Sequence, residues 1–193
     1  GSGVFKGQHG IDIKAFAEQR PKIWLEPEPD ANPKALQAIK DADLVVIAPG
    51  SLYTSLGAVL VVPGVGRAIK RARAKKVYVC NLVNKPGQTD GFTIIDFADE
   101  LERLAGVQFL DYALYNTRKP DDQMLKRYAA DGELPVIADK KALKNARFKA
   151  VGTDLLAREV WVGGSEGDAL RQQRTLIRHD PDKLARRIAE LAR

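Results

Sequence analysis

The sequence predicts an α/β fold: a three-layer, Rossmann-like and mostly parallel sheet with helices on both faces. Short apolar segments alternate along the chain with segments whose apolar residues recur at helical spacing, which is typical of successive β–α–β units. Polar loops follow the apolar segments, as expected at the carboxyl ends of parallel strands. With 193 residues, 45% of them hydrophobic, the chain can bury one core. We expect residues 4–193 to form a single α/β domain and take residues 1–3 as an expression scar.

The first half of the chain carries the clearest local signals. Asn32 followed by Pro33 favours a helix start, because Asn caps helices and Pro suits their first position. Ala35, Leu36 and Ile39 would form the inward stripe of this helix. The elements predicted up to residue 104 are strand Lys22–Leu25, the helix from Pro33, strand Leu44–Ile47, helix Gly64–Arg73, strand Val77–Cys80 and helix Thr93–Leu104.

The second half is less regular. Asp180-Pro181 opens a closing helix with Leu184, Ile188 and Leu191 facing inward. Upstream of it we predict strand Phe109–Leu114, helix Gln123–Ala130, short strands Pro135–Ile137 and Phe148–Val151, and a turn at Gly163–Gly167.

Three polar loops should leave the same edge of the sheet. They are Ala48–Ser55 (loop 1), Asn81–Gly91 (loop 2) and Asn116–Pro120 (loop 3). Ligands of open parallel sheets bind outside the carboxyl ends of the strands. If the three strands are neighbours, the polar groups of these loops converge on one crevice, with Asn116 as the candidate contact from loop 3.

Loop 1 offers a phosphate site. Gly50 allows backbone N–H groups to approach an anion, and the hydroxyls of Ser51, Thr54 and Ser55 add donors. The chain has neither the P-loop motif nor G-x-G-x-x-G, which argues against standard nucleotide loops. A plain strand-to-helix turn explains the same residues equally well.

Loop 2 suits a sugar or a base edge. Asn81, Thr89 and Asp90 supply side-chain donors and acceptors at high density. The alternative is that Pro86-Gly87 forms a turn while Thr89 or Asp90 caps the next helix. Both can hold, because a cap can be shared with a ligand.

Catalytic and metal motifs are poorly represented. The single cysteine, Cys80, excludes an internal disulfide and favours a buried thiol and a cytoplasmic protein. The two histidines, His9 and His179, lie far apart in sequence. No protein-only metal site is predicted. Mg²⁺ is an option only together with a phosphate ligand, near acids such as Asp30, Asp43 or Asp90.

The net charge of +6 does not by itself indicate nucleic acid as a partner. Basic residues cluster between Arg67 and Lys76, but Val65, Ala68, Ile69 and Ala72 recur between them at helical spacing. This pattern favours a helix with one solvated face. We expect a small-molecule partner and no membrane partner, because no apolar run approaches the roughly 20 residues of a membrane span. A homo-oligomer is compatible with the sequence.

Four segments carry a resemblance to a known family: PGSLYTS, PGVGRAI, AKKVYVCNLVNKPGQTDGF and LDYALYN. With them, about residues 4–155 resemble the gluconeogenesis factor family of bacterial proteins. That family is homologous to 2-phospho-L-lactate transferase, which joins a phospholactyl group to a deazaflavin during coenzyme F420 assembly. The family's glycine-rich N-terminal segment is not in the sequence, so we expect this chain to be the C-terminal portion of a family protein, or a shortened relative.

The chain is closer to the gluconeogenesis branch than to the transferase branch, because the transferases normally have a Ser-Asn-Pro-like sequence where this chain has Ser51-Leu52-Tyr53. It departs from the gluconeogenesis branch at Ala58-Val59, where that branch usually has Pro-Asn, and at Phe97, where that branch usually has His, while Gly57 is similar to the transferases. The resemblance implies a regulator that binds a nucleotide or nucleotide-sugar and is linked to carbon metabolism or cell-envelope synthesis. The alternative it implies is a transferase acting on a deazaflavin.

Overall fold

The fold is built on a parallel sheet. The computed structural model describes residues 3–12, 15–16, 20–157 and 177–193. Its sheet has the spatial order β1-β2-β3-β4, with β1 Leu44–Ile47, β2 Lys75–Val79, β3 Tyr112–Asn116 and β4 Lys149–Thr153. All three pairings are parallel, with Val46 opposite Val77 and Asn116 opposite Thr153. The predicted α/β class is confirmed, and all four strands end at the same edge.

Helices connect the strands. In chain order they are α1 (Gln8–Asp12), α2 (Pro33–Asp41), a π-helical turn (Leu52–Leu56), α3 (Gly57–Leu60), α4 (Val65–Arg71), α5 (Ile94–Ala105), α6 (Asp122–Ala130), α7 (Lys140–Leu143) and α8 (Pro181–Ala192). The predicted cap of α2 is present, since the Asn32 side chain accepts a hydrogen bond from the Lys34 amide at 2.9 Å. Leu36 and Ile39 pack against the core, whereas Ala35 is exposed.

Both faces of the sheet are covered. On one face, Ile47, Tyr78 and Ala113 join a core with α4 and α5. On the other face, the inward stripe predicted for α8 packs against the sheet in a second cluster: Val77, Val79, Leu114, Val151, Leu155, Leu184, Ile188 and Leu191. These two cores make the three layers expected from the sequence.

Helix α5 is the central helix of the first core. Its predicted apolar stripe is buried at Ile94, Phe97, Ala98, Leu101 and Leu104. It begins in a capping box, in which the Thr93 side chain accepts from the Asp96 amide and Asp96 accepts from the Thr93 amide. The helix is therefore capped by Thr93, and the alternative cap at Thr89 or Asp90 is wrong.

Two carboxylates of α5 are buried and fully engaged. Glu102 accepts hydrogen bonds from the backbone amides of Phe109 and Leu110 at 2.6 and 2.8 Å and pairs with Arg147. Glu100 pairs with Arg103 at 2.6 Å and with Arg20 at 3.3 Å. Glu102 thus fixes the turn that leads from α5 into β3.

The strand predicted at Lys22–Leu25 is wrong. This segment has no ladder partner, and the residues just before it contact α5 instead. Arg103 donates to the Pro21 carbonyl at 2.8 Å, Arg20 pairs with Glu100 at 3.3 Å, and Ile23 packs against the first core. Side-chain contacts to a helix therefore replace the expected sheet pairing.

Other boundaries differ for local reasons. Pro135–Ile137 forms only isolated bridges, to Val83 and Thr93, because it lies across loop 2 and not beside a strand. Strand β4 runs on to Thr153, since Gly152 and Thr153 pair with Tyr115 and Asn116. The turn predicted at Gly163–Gly167 falls outside the residues that the structure describes.

Within the described ranges, no single helix has the length and apolar composition needed to cross a membrane. One bent pair, Leu52–Leu60 with Val65–Arg71, meets that criterion by length and composition alone, with a bend of 74°.

Removing the Glu102 side chain should destabilise the chain strongly. Glu102→Ala leaves two buried amides unpaired, each worth about 1–3 kcal/mol, so we expect urea unfolding to show a loss of about 3 kcal/mol. Glu102→Gln keeps an oxygen acceptor and should lose clearly less. The control Asp99→Ala removes only the exposed partner of Arg147, 3.7 Å away, and should cost under about 1 kcal/mol. Equal losses in all three variants would contradict this account.

Candidate functional site

The predicted convergence of the loops is observed between loops 1 and 2. Asn81 follows β2 directly, and its side-chain amide donates to the Gly50 carbonyl at 2.9 Å. The Tyr78 hydroxyl lies 3.3 Å from the Asn81 side-chain oxygen, so the orientation of the amide is fixed on both sides. Asn81 thereby joins the two loops at the carboxyl edge of the sheet.

Loop 1 is more helical than its sequence suggests. From Leu52 onwards it forms the π-helical turn, and the Ser51 carbonyl accepts from both the Ser55 and Leu56 amides at 3.0 Å. Leu52 and Tyr53 turn inward and are 4% and 1% exposed. Burial, followed by the nearby Glu100 charge, raises the pKa of the Tyr53 hydroxyl well above its usual value. Tyr53 therefore anchors the loop and leaves Ser51 and Thr54 at the surface of the crevice.

A polar cluster lies where loops 1 and 2 meet. The hydroxyls of Ser51 and Thr54 are 2.7 Å apart and lie 3.3 and 3.1 Å from one carboxylate oxygen of Asp12. The Lys85 ammonium pairs with the same oxygen. The Lys85 hydrogen bond, with help from the hydroxyls, lowers the pKa of Asp12. Two hydroxyls from loop 1 and one ammonium from loop 2 thus lie around one anion.

Loop 2 is a tight turn in which buried polar side chains form hydrogen bonds within the loop or to α1. The Thr89 hydroxyl is buried and accepts from the Lys85 amide at 2.8 Å. Gln88 is also buried and donates to the carbonyls of Ile11 and Asp12. The expected turn at Pro86-Gly87 is present, with Gly87 at a φ of 74°.

Loop 3 is held by Asn116. Its side chain donates to the Arg118 carbonyl at 2.6 Å and accepts from the amides of Arg118 and Leu155. Arg118 donates to the Ala157 carbonyl and lies 3.6 Å from Asp154. The loop therefore presents a fixed guanidinium close to the ends of β3 and β4.

An open cavity of about 280 Å³ lies between loops 2 and 3. Residues 135–136 form another wall. Asn81, Asn116, Arg118 and Lys119 supply its polar lining, and Leu82, Ile94, Val136 and Leu156 supply apolar surface. An apolar wall with a few fixed polar groups is typical of a small-molecule site.

The predicted site residues divide into three groups. Gly50, Ser51, Thr54 and Asn81 come together, and Asn116 lies across the cavity lined by Asn81. Ser55 and Asp90 are exposed. Thr89 is buried inside its own turn.

Sequence reasoning missed Asp12, Lys85 and Arg118 as parts of the site. Lys85 and Arg118 could have been identified from the sequence, since both are cations inside predicted loops. Asp12 had none, because it reaches the site through a contact 73 residues distant in sequence.

The buried thiol and imidazole are unsuited to nucleophilic or acid–base roles. Burial raises the pKa of Cys80 to about 12 and lowers the pKa of His179 to about 4. His179 hydrogen-bonds the Cys80 backbone, and its Nε2 is buried without a partner. Across the described ranges, no group of three or more His, Cys, Asp or Glu side chains is arranged to hold a metal ion.

Comparison with known proteins gives a consistent match. The family model described as 2-phospho-L-lactate transferase CofD matches residues 3–156. Putative gluconeogenesis factors of Aquifex aeolicus and Thermotoga maritima are 36% and 40% identical, over 97% and 89% of this chain and 54% and 51% of theirs. The gluconeogenesis factor of Bacillus subtilis is 32% identical over 93% of this chain and 52% of its own.

A solved structure agrees. A UPF0052 family protein of Bacillus halodurans superposes with a TM-score of 0.73 at 32% identity, covering 86% of this chain and 49% of that one. The chain spans about half the length of the curated relatives it matches.

Replacing His179 should flatten the acid dependence of stability. The unfolded chain takes up a proton on this imidazole near pH 6.5, whereas the folded chain does so only near pH 4. The contribution of neutral His179 is therefore complete above about pH 6.5 and is lost as the pH falls to 4. From pH 7.5 to 4.5, the free energy of unfolding measured in urea should fall by about 2 kcal/mol more in the wild type than in His179→Gln.

His9→Gln replaces the exposed second histidine and serves as the matched control. It should behave like the wild type. If the free energy of unfolding falls by the same amount in acid in His179→Gln and in the wild type, His179 does not titrate in this way.

Proposed function

The chain belongs to the 2-phospho-L-lactate transferase CofD family, and from that premise we propose that it is a regulatory protein that binds a nucleotide or nucleotide-sugar. Its curated relatives carry the name gluconeogenesis factor, which supports a link to carbon metabolism. A link to cell-envelope synthesis is part of the same proposal, since nucleotide-sugars are the activated sugars of such pathways.

One observation carries the proposal: Asn81 belongs to both halves of the crevice. Its side-chain amide donates to the Gly50 carbonyl of loop 1, and the residue also lines the cavity between loops 2 and 3. We propose that a ligand with an anionic end and a polar ring would place the anionic end at loop 1 and the ring in the cavity, with Asn81 between them. Nucleotides and nucleotide-sugars have that composition.

We assign the anionic end to the cluster at loop 1. Ser51, Thr54 and Lys85 would donate to phosphate oxygens, with Gly50 giving close backbone access and Ser55 at the rim. Asn81 and Asn116 would orient the sugar or base, with Asp90 at the outer edge. Thr89 would act by holding the Lys85 turn.

The alternative is a transferase, because the matching family model carries that name. It would move a phosphate-linked group onto a deazaflavin alcohol, with Mg²⁺ entering only together with the phosphate. Such catalysis would depend on positioning and charge stabilisation, since the pKa values of Cys80 and His179 disfavour a thiolate or an imidazole base at neutral pH.

A thermal-shift panel tests the proposal. Uridine nucleotide-sugars, guanine nucleotides, dinucleotides and a deazaflavin are each added to the 193-residue chain. A ligand at 100 times its Kd adds about 2.7 kcal/mol of stability, which corresponds to a rise in melting temperature of about 5–10 °C. Asn81→Ala should abolish most of that rise, whereas the control Asn145→Ala alters an exposed asparagine on another part of the chain and should keep it.

The outcomes separate the two functions. A rise with a nucleotide or nucleotide-sugar supports the regulator. A rise with the deazaflavin alone supports the transferase. No rise with any member of the panel contradicts nucleotide or nucleotide-sugar binding by this chain.

A further inference from the structure

We propose that Asp12 is an internal anion that occupies the phosphate subsite, and that a ligand's phosphate must displace it. The strap that carries Asp12 consists of residues 7–12 and 15–16. This inference rests on the proposed function, and it adds a regulatory step: ligand binding and release of the strap are coupled.

The geometry around Asp12 is that of an occupied anion site. One carboxylate oxygen faces the Ser51 hydroxyl, the Thr54 hydroxyl and the Lys85 ammonium. The Thr54 hydroxyl has a single proton, so it donates either to Asp12 or to Ser51, 2.7 Å away. Both arrangements direct one or two hydroxyl protons and one ammonium at the same point. These are the donors that recognise a phosphate oxygen.

Carboxylate and phosphate cannot share this point. Two anions at contact distance repel each other, and the set of donors has one formal positive charge, on Lys85. A phosphate that takes these donors therefore leaves Asp12 without partners. Displacement of Asp12 is the expected consequence.

The strap is attached in a way that permits displacement. Helix α1 contains no fully buried residue, although Ile11 is partly buried and packs against the first core. Gln88 holds the carbonyls of Ile11 and Asp12 at 2.9 and 3.1 Å, and the Phe16 amide donates to the Gly87 carbonyl at 2.7 Å. The Phe16 ring meets Tyr53 edge-on, with centroids 5.2 Å apart.

Loop 2 is shaped to receive the strap. A side chain at Gly87 would place its Cβ 2.7 Å from the Cβ of Ala15, so glycine is needed for this close approach. The attachment combines these hydrogen bonds with the packing of Ile11 and Phe16, both partly buried, against the first core. Displacement of the strap would therefore give up this packing as well as the polar contacts to loops 1 and 2.

The test removes the carboxylate. Asp12→Ala frees Lys85 and the two hydroxyls, and we expect this variant to bind a uridine nucleotide-sugar and inorganic pyrophosphate about three- to tenfold more tightly than the wild type. The size follows from the modest strength of partly exposed ion pairs, since Asp12 and Lys85 are 41% and 36% exposed. Isothermal titration calorimetry measures both affinities.

Glu133→Gln is the charge control. The Lys85 ammonium partly offsets the rise in the pKa of Glu133 that burial and Asp131 cause, so Glu133 lies in the field of Lys85. This substitution removes one negative charge from the neighbourhood but leaves Asp12 in place. Glu133→Gln should change the ligand affinity less than twofold. An equal gain in affinity in Glu133→Gln and Asp12→Ala would show that Asp12 acts only through its negative charge, and it would overturn the inference.

Hydrogen exchange at the Phe16 amide provides an independent readout. Without ligand, the hydrogen of this amide should exchange at least several-fold faster in Asp12→Ala than in the wild type. Saturating nucleotide-sugar should speed its exchange in the wild type to a similar degree. Unchanged exchange in Asp12→Ala overturns the inference even if the ligand binds.

The two proposals fail differently. If neither the wild type nor Asp12→Ala binds any probe, the proposed nucleotide binding is refuted, and displacement of Asp12 by phosphate is refuted with it. The exchange rates measured without ligand still decide whether Asp12 holds the strap in place. If both proteins bind with equal affinity, the proposed function stands and the internal anion is refuted.

Discussion

The position of loop 1 depends on one buried carboxylate, that of Glu100 on α5. Glu100 has no exposed surface and pairs with Arg103 at 2.6 Å and Arg20 at 3.3 Å, while Tyr53 lies within its hydrogen-bonding range. A buried carboxylate needs these partners, because an unpaired one costs several kcal/mol. Because Glu100 needs these partners, its contacts connect three segments: loop 1 through Tyr53, the chain near residue 20 through Arg20, and α5 itself. Ser51 and Thr54 are consequently presented from a fixed turn.

The remaining parts of the crevice are fixed by other local hydrogen bonds. Thr89 closes the turn of loop 2 on the Lys85 amide, and Asn116 closes loop 3 on Arg118 and Leu155. A preformed pocket avoids most of the entropy cost of ordering loops upon binding. The strap differs, since no residue of α1 is fully buried and the strap is held by hydrogen bonds to loop 2 together with the partly buried side chains of Ile11 and Phe16. Rigid loops beneath a displaceable strap suit a protein whose ligand acts as a signal.

The sequence was sufficient for the fold, and for part of the site, because both rest on local patterns. Strand β1 was predicted with its observed bounds, and the apolar stripe of α5 is buried as predicted. The loops could be placed at one edge because parallel strands end together. Loop 1 was mistaken for an open loop, since the burial of Tyr53 depends on Glu100, 47 residues away in sequence. Asp12 was missed for the same reason, and strand Lys22–Leu25 was overpredicted because contacts with α5 replaced its ladder.

The central claim is that loops 1, 2 and 3 form one ligand site joined by Asn81. The most direct measurement is a ¹⁵N NMR titration with a uridine nucleotide-sugar, following the backbone amides of Gly50, Ser51 and Asn116 and the side-chain amide of Asn81. One site predicts that these signals shift together with a single Kd, while amides of α8 on the opposite face of the sheet do not move. Shifts confined to one loop, different Kd values for loop 1 and loop 3, or no shift at any of these amides would contradict the claim.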